Sequence, residues 1–196
     1  MREQDIRSAL HFDIRRLPCH DEETLVIDEL GLCEGDGRID IAVVNGTLSG
    51  YEIKSSADTL QRLPNQVAVY GRLFDQITLV SSESHIEKAR GIIPPWWGIT
   101  AVLEIERNIQ LNLVRKPENN LSIDSFSLAQ LLWRDEALSI LKKLGAEKGV
   151  MSKPRDEIWR RLSEATTVSE LSSFVRQQLK TRQNWRVDCT PVSNGD

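Results

Sequence analysis

Apolar side chains recur at Ile6, Leu10, Ile14 and Leu17, the spacing of one helix face, and predict a helix over residues 4–17 that Pro18 closes. A second short helix is expected over about 22–31, from Leu25, Ile27 and Leu30 with the acidic pair Asp28-Glu29. Gly31, Gly35 and Gly37 then break the chain. The pattern changes at 38–44, a β-rich run. Asn45-Gly46 follows it, the dipeptide that best fits a tight hairpin turn, and a second strand is expected over about 48–55. Residues 58–74 return to a helical pattern but contain Pro64. Proline disfavours the α conformation at the residue before it and suits the first helical position, so a turn is expected over 58–62 and a helix from Pro64. A strand over 77–81, a short helix over about 84–92, an irregular Pro94-Pro-Trp-Trp-Gly segment and strands over 98–105 and 110–114 complete this part.

Residues 116–120 read as a linker, and the period beyond them is helical only, near 127–144, 154–165 and 168–182. Ser152 and Ser169 are the expected N-caps, with Pro154 just inside its helix. The order of elements predicts an α+β or mixed α/β fold with an all-helical C-terminal extension. The expected divisions are a core over 1–115, a helical extension over 116–187 and a flexible tail over 188–196.

Composition narrows the classes. With 40% hydrophobic and 28% charged residues in 196, the chain can bury a core and is neither disordered nor collagen-like. No apolar run is long enough for a bilayer span, and the first residues lack the apolar core of a secretory signal. Cys19, Cys33 and Cys189 form no CxxC, and His11, His20 and His85 share no metal-ligand spacing. Three reduced thiols in a cytoplasmic protein are expected, without a disulfide framework or zinc site. Residues 1–133 hold 13 Lys+Arg against 20 Asp+Glu, a net −7; residues 134–187 hold 12 against 7, a net +5. That asymmetry fits a metal site beside a phosphate-binding surface, or an ordinary basic helical face.

The hairpin carries the candidate chemistry. Asp40 lies on its first strand, Glu52 and Lys54 on its second. Side chains two apart on a strand share a face, so Glu52 and Lys54 point together and Tyr51 and Ile53 point away. An Asp and a Glu on neighbouring strands suit a hard divalent cation, and a lysine beside them suits an attacking water and a charged phosphate. Gln66 and Tyr70, four apart, share one face of the following helix.

Asp40…Glu52-Ile-Lys54 resembles the PD-(D/E)XK nuclease superfamily, and Gln66-Val-Ala-Val-Tyr70 resembles the Gln-x-x-x-Tyr motif of its RecB-like exonuclease branch. The wider pattern over about residues 20–105 resembles a family of small bacterial and phage-associated members, and continues more weakly into Leu132-Trp-Arg-Asp-Glu-Ala-Leu. Ile39 stands where the superfamily's name has proline. The resemblance implies a restriction-endonuclease-like core, a central mixed sheet flanked by helices. It also implies a Mg²⁺- or Mn²⁺-dependent nuclease, acting on phosphodiester bonds of DNA by direct water attack. Carried over, Asp40 and Glu52 are metal ligands with the Ile53 carbonyl, and Glu29 is the upstream helical acid, with Glu34 its rival. Lys54 acts on the water. Gln66 brackets the lysine or a phosphate, and Tyr70 contacts phosphate or packs beneath the site. Arg62, with Asp58, touches phosphate or caps a turn. Trp96-Trp97 stacks on bases or closes a core edge. Arg160 and Arg161, with Arg134, Arg155, Arg176 and Arg182, are the candidate DNA-backbone contacts. Two other readings are a non-catalytic nucleic-acid-binding or assembly module with this fold, and a toxin or defence effector restrained by a protein partner. The C-terminal helices are then the place for a partner or a homodimer.

Overall fold

The computed structural model describes residues 2–17, 23–106 and 108–182. The expected tail over 188–196, Pro18, Cys19, His20 and Cys189 lie outside them. Thirteen elements follow in order: α1 (Glu3–Ile14), β1 (Leu25–Leu32), β2 (Gly37–Val44), β3 (Leu48–Lys54), α2 (Leu63–Tyr70), β4 (Gln76–Ser82), α3 (Glu83–Arg90), β5 (Gly98–Ile105), β6 (Asn108–Arg115), α4 (Ser125–Ala129), α5 (Arg134–Lys143), α6 (Arg155–Ala165) and α7 (Val168–Thr181). The six strands form one sheet in the order β1-β2-β3-β4-β5-β6. The β1–β2, β2–β3 and β5–β6 pairs are antiparallel; β3–β4 and β4–β5 are parallel. The fold is the α+β class expected, a mixed sheet flanked by helices with further helices at the C-terminal end.

The sheet is covered unequally. Among the described residues one face carries α1 alone, whose Ile6, Leu10 and Ile14 pack on Ile41, Val43, Ile53, Val80 and Val102. The other face carries α2, α3 and the C-terminal helices around a much larger cluster, from Ile39, Phe74 and Leu79 to Leu141, Trp159 and Leu179. The C-terminal helices therefore share the sheet's own core and do not form a separate body. Close approach of α2 to β2 uses Gly37, where a Cβ would lie 2.9 Å from Val69 Cγ1, and Gly50 leaves room for Ile39 and Phe74, both 3.1 Å from where its Cβ would lie.

The segment 22–31, expected as a helix, is mostly the strand β1. Its pairing with β2 is what decides this, since Leu25–Leu32 runs antiparallel to Gly37–Val44. The ladder skips one pair, Glu29 opposite Asp40, and Glu29 has φ 56°. There the alternation slips in both strands. Asp28 faces α1 while Leu30 faces the large core, and Ile39 faces the large core while Ile41 faces α1.

The C-terminal expectations need three corrections. Residues 127–144 are two helices, α4 and α5, separated at 130–133. The α6 N-cap is Pro154, not Ser152. The α7 N-cap is Thr167, not Ser169, because Thr167-x-x-Glu170 forms a capping box. The presumed linker is also docked. Asn120 donates its side-chain N–H groups to the Gly71 and Phe74 carbonyls at 2.7 and 3.0 Å, the Glu118 N–H reaches the Trp96 carbonyl at 2.8 Å, and the Asp124 N–H reaches the Arg72 carbonyl at 2.9 Å. This strap fastens the C-terminal end of α2. No described helix is long and apolar enough to cross a membrane.

Candidate active site

A cavity of about 560 Å³ opens at the end of β1–β3 beside α2. Asp40, Glu52, Ile53, Lys54, Gln66 and Tyr70 all line it, as do Glu29 and Arg62. Two strands and a helix, separated along the chain, thus deliver to one place the residues expected there.

Glu52 and Lys54 project from β3 toward α2, as the strand period predicts, and are nearly buried at 2% and 4% exposure. The Lys54 ammonium donates to Glu52 Oε1 at 2.5 Å. Gln66 donates through Nε2 to the same oxygen at 2.5 Å, and the Tyr70 hydroxyl lies 2.9 Å from Oε2. That hydroxyl also donates to the Arg38 carbonyl at 2.6 Å. Burial, then the Glu52 charge, push the Tyr70 phenol well above its ordinary pKa, so it stays a neutral donor. Tyr70 therefore packs beneath the site, wedged between Glu52, Phe74 and a stacked Trp97. The Gln66 amide has its nitrogen toward the carboxylate, which leaves its buried Oε1 without a protein partner.

Asp40 sits at the slipped pair. Its Oδ2 accepts the Ile53 N–H at 2.6 Å. Burial, then the neighbouring Glu52 charge, raise its pKa from about 3.8 to about 7. Two further carboxylates meet it. Glu3, from the first turn of α1, and Glu29, from β1, each offer an oxygen within 4.8 Å of the others and of Asp40. Arg7, one turn along α1, lies among them, 2.7 Å from Glu3, 2.6 Å from Glu29 and 3.5 Å from Asp40. It also donates to the Asp40 carbonyl at 2.7 Å and pairs with Asp28 at 3.3 Å. Burial works against the Arg7 charge; Glu3, Asp40, Glu29 and Asp28 more than offset it and hold its pKa above the ordinary value.

Glu29 is therefore present, but from a strand and not from a helix. The acid supplied by a helix is Glu3, which the sequence reading missed. Its signal was the Glu3–Arg7 spacing of four in an acidic first turn. Glu52 is not in the carboxylate trio; its two oxygens are engaged by Lys54, Gln66 and Tyr70. Glu34, with φ 56°, turns instead to Arg155 at 2.9 Å.

Peripheral expectations divide. Arg62 is exposed on the cavity rim, whereas Asp58 accepts the Ser55 N–H and hydroxyl at 2.7 and 2.6 Å and closes a turn. Trp97 is fully buried and closes the core. Arg160 and Arg161 are exposed on α6 but do not line the cavity; Arg160 covers the Phe126 ring at 5.5 Å. Arg176 and Arg182 pair with Asp75 and Glu136.

Chemically, the trio is a hard oxygen donor set of the kind Mg²⁺ and Mn²⁺ take. Four acids, Glu3, Glu29, Asp40 and Glu52, exceed the half-buried Arg7 and the buried Lys54, so the donor set fits a divalent cation. The exposed Arg38, paired with Glu29 at 2.6 Å, and Arg62 lie on its rim.

The family model described as "Bacteriophage P4 protein cII" matches residues 1–189. The Protein cII of Enterobacteria phage P4 is 23% identical over 145 residues, 74% of this chain and 54% of the phage protein. The chain thus spans about half the length of that curated relative. No solved structure matches.

Proposed function

The chain belongs to the bacteriophage P4 protein cII family, and from the site's geometry alone we propose that it is a metal-dependent nuclease of PD-(D/E)XK type. Its proposed reaction is hydrolysis of a phosphodiester bond, in DNA, by direct attack of water. One observation carries the reading: Asp40, Glu52, Lys54, Gln66 and Tyr70, from three elements, line a single cavity.

Asp40, with Glu29 and Glu3, would hold Mg²⁺ or Mn²⁺, and Glu52 and Ile53 line the same cavity. A bound cation would supply Lewis acidity toward the phosphate and a more acidic water. Lys54 orients the nucleophile and meets charge growing on the phosphoryl oxygens. Gln66 and Tyr70 fix the Glu52 carboxylate, and the unmatched, buried Gln66 Oε1 is free to accept a hydrogen bond from an enclosed water. Arg38 and Arg62 on the rim meet the incoming phosphates.

The position of Arg7 favours a second reading, a nucleic-acid-binding module without catalysis. A guanidinium seated among three carboxylates does the electrostatic work of a cation. One assay separates the two: cleavage of linear, circular, single-stranded and double-stranded DNA with Mg²⁺ or chelator, with Lys54→Ala as control. Metal-dependent cleavage lost in Lys54→Ala is expected. Binding of the same DNA with no cleavage by the intact chain would hand the site to the second reading.

A further inference from the structure

A second cavity, of about 440 Å³, adjoins the first and has no part in the chemistry above. The two share Gly31 and Gly35 in their walls. A Cβ built at either glycine meets nothing within 4 Å, so the bridge between the cavities is low and open. Gly35, at φ +112°, keeps a turn few other residues adopt.

At the far end stands Trp133, from the segment Leu132-Trp-Arg-Asp-Glu-Ala-Leu. It begins α5 and is 59% exposed, unusual for an indole in a chain that buries Trp97 and Trp159. The Arg182 guanidinium lies 4.5 Å from its ring centroid. Glu136 holds Arg182 by two contacts of 2.8 and 2.6 Å, and the Leu131 carbonyl accepts a third at 2.6 Å. Among the described residues the indole is thus backed by a fixed planar cation and keeps 59% of its surface exposed. Arg155 reaches across the cavity, over the Trp159 ring at 5.4 Å. Its pairing with Glu34 at 2.9 Å has both side chains about half exposed, a contact weak enough to exchange for phosphate.

We propose that this groove carries an unpaired nucleic-acid strand away from the active site, with Trp133 as a base-stacking platform and Arg155 as a phosphate contact. Three observations carry it: an exposed, rigidly backed indole, a basic side chain beside it, and an open passage over Gly31 and Gly35 to the acidic cavity. Only a base lacking a stacking neighbour has a face to give an indole, so the favoured ligand is single-stranded. The occupant's identity as nucleic acid rests on the nuclease reading; the platform itself does not need catalysis.

The test is fluorescence anisotropy of a short labelled single strand and of the matching blunt duplex, with chelator present so that nothing is cut. Trp133→Ala should weaken single-strand binding about tenfold, while Trp133→Phe, which still stacks, should stay within about threefold. Gly31→Phe should close the passage and weaken single-strand binding about as much as Trp133→Ala, with the melting temperature unchanged. Duplex affinity should move less in all three. Unaltered binding by Trp133→Ala, equal losses in the alanine and phenylalanine variants, or equal losses on single strand and duplex would each overturn the proposal. So would failure of the intact chain to bind any oligonucleotide. Trp133-dependent binding without cleavage would leave the groove and sink the nuclease. Cleavage and strand binding indifferent to Trp133 would do the reverse.

Discussion

The site has two halves that differ in how completely their charges are satisfied. Around Glu52 every strong contact is made: Lys54, Gln66 and Tyr70 converge on one buried carboxylate. Around Asp40 three carboxylates crowd the Arg7 guanidinium, with the exposed Arg38 touching Glu29 alone among them; one of the three is on a backbone turned to positive φ and another has a raised pKa. The first half is a fixed support, and the second holds surplus negative charge in a strained frame. The proposed uptake and release of a cation would need both.

The largest effect should come from breaking the fixed half. Glu52→Gln or Lys54→Ala leaves its buried partner unpaired, and each should lower unfolding free energy by about 3–5 kcal/mol, read by urea denaturation. Joint replacement by apolar residues of similar size, Glu52→Leu with Lys54→Met, should lose far less. Equal losses in the single and joint variants would make the two halves alike.

Removing charge from the other half should act with the opposite sign. Asp40 binds its proton more tightly in the folded chain than in the unfolded one, because its pKa rises from about 3.8 to about 7. Stability should therefore fall as pH climbs through that window, and the penalty should be complete above it. Asp40→Asn should stabilise the metal-free protein at pH 8 by about 2 kcal/mol and leave it unchanged near pH 4, read by thermal melts across pH.

Arg7 is the next lever. With Arg7→Gln the trio loses its resident cation, so calorimetric Mn²⁺ affinity should rise about tenfold, the scale of one partly screened charge contact. A fall in affinity would mean that Arg7 positions the ligands and does not compete for them. The smallest effect should come from Arg62→Ala on the exposed rim. Stability should stay within about 0.5 kcal/mol while activity on DNA drops a few-fold and becomes less sensitive to salt.

The same contrast explains what could be read from the chain. The fixed half is built on regular periods: two residues along β3 put Glu52 beside Lys54, and four along α2 put Gln66 beside Tyr70. The hairpin at Asn45-Gly46 and the helix start at Pro64 are equally local. The surplus half breaks its period. Because the alternation slips at Glu29, Ile27 and Leu30 face one core although three apart, which is helical spacing on a strand. That is why β1 read as a helix. Glu3 lay outside the apolar pattern of its helix, and nothing local announced that α1 would cross the sheet to meet Asp40. Thr167 caps α7 in place of Ser169 because Glu170, three residues on, completes a capping box with it.

The strap at 116–124 has a consequence for how the molecule can be divided. Residue 116 looks like a natural place to cut, yet Asn120 closes the end of the helix that presents Gln66 and Tyr70, and Leu128, Leu141 and Leu179 belong to the cluster that holds Phe74 and Leu79. A fragment ending at 115 would bare that cluster and loosen α2 from its far end. Limited proteolysis should therefore find few stable pieces here, because the half that carries the candidate site shares its core with the helices that follow it.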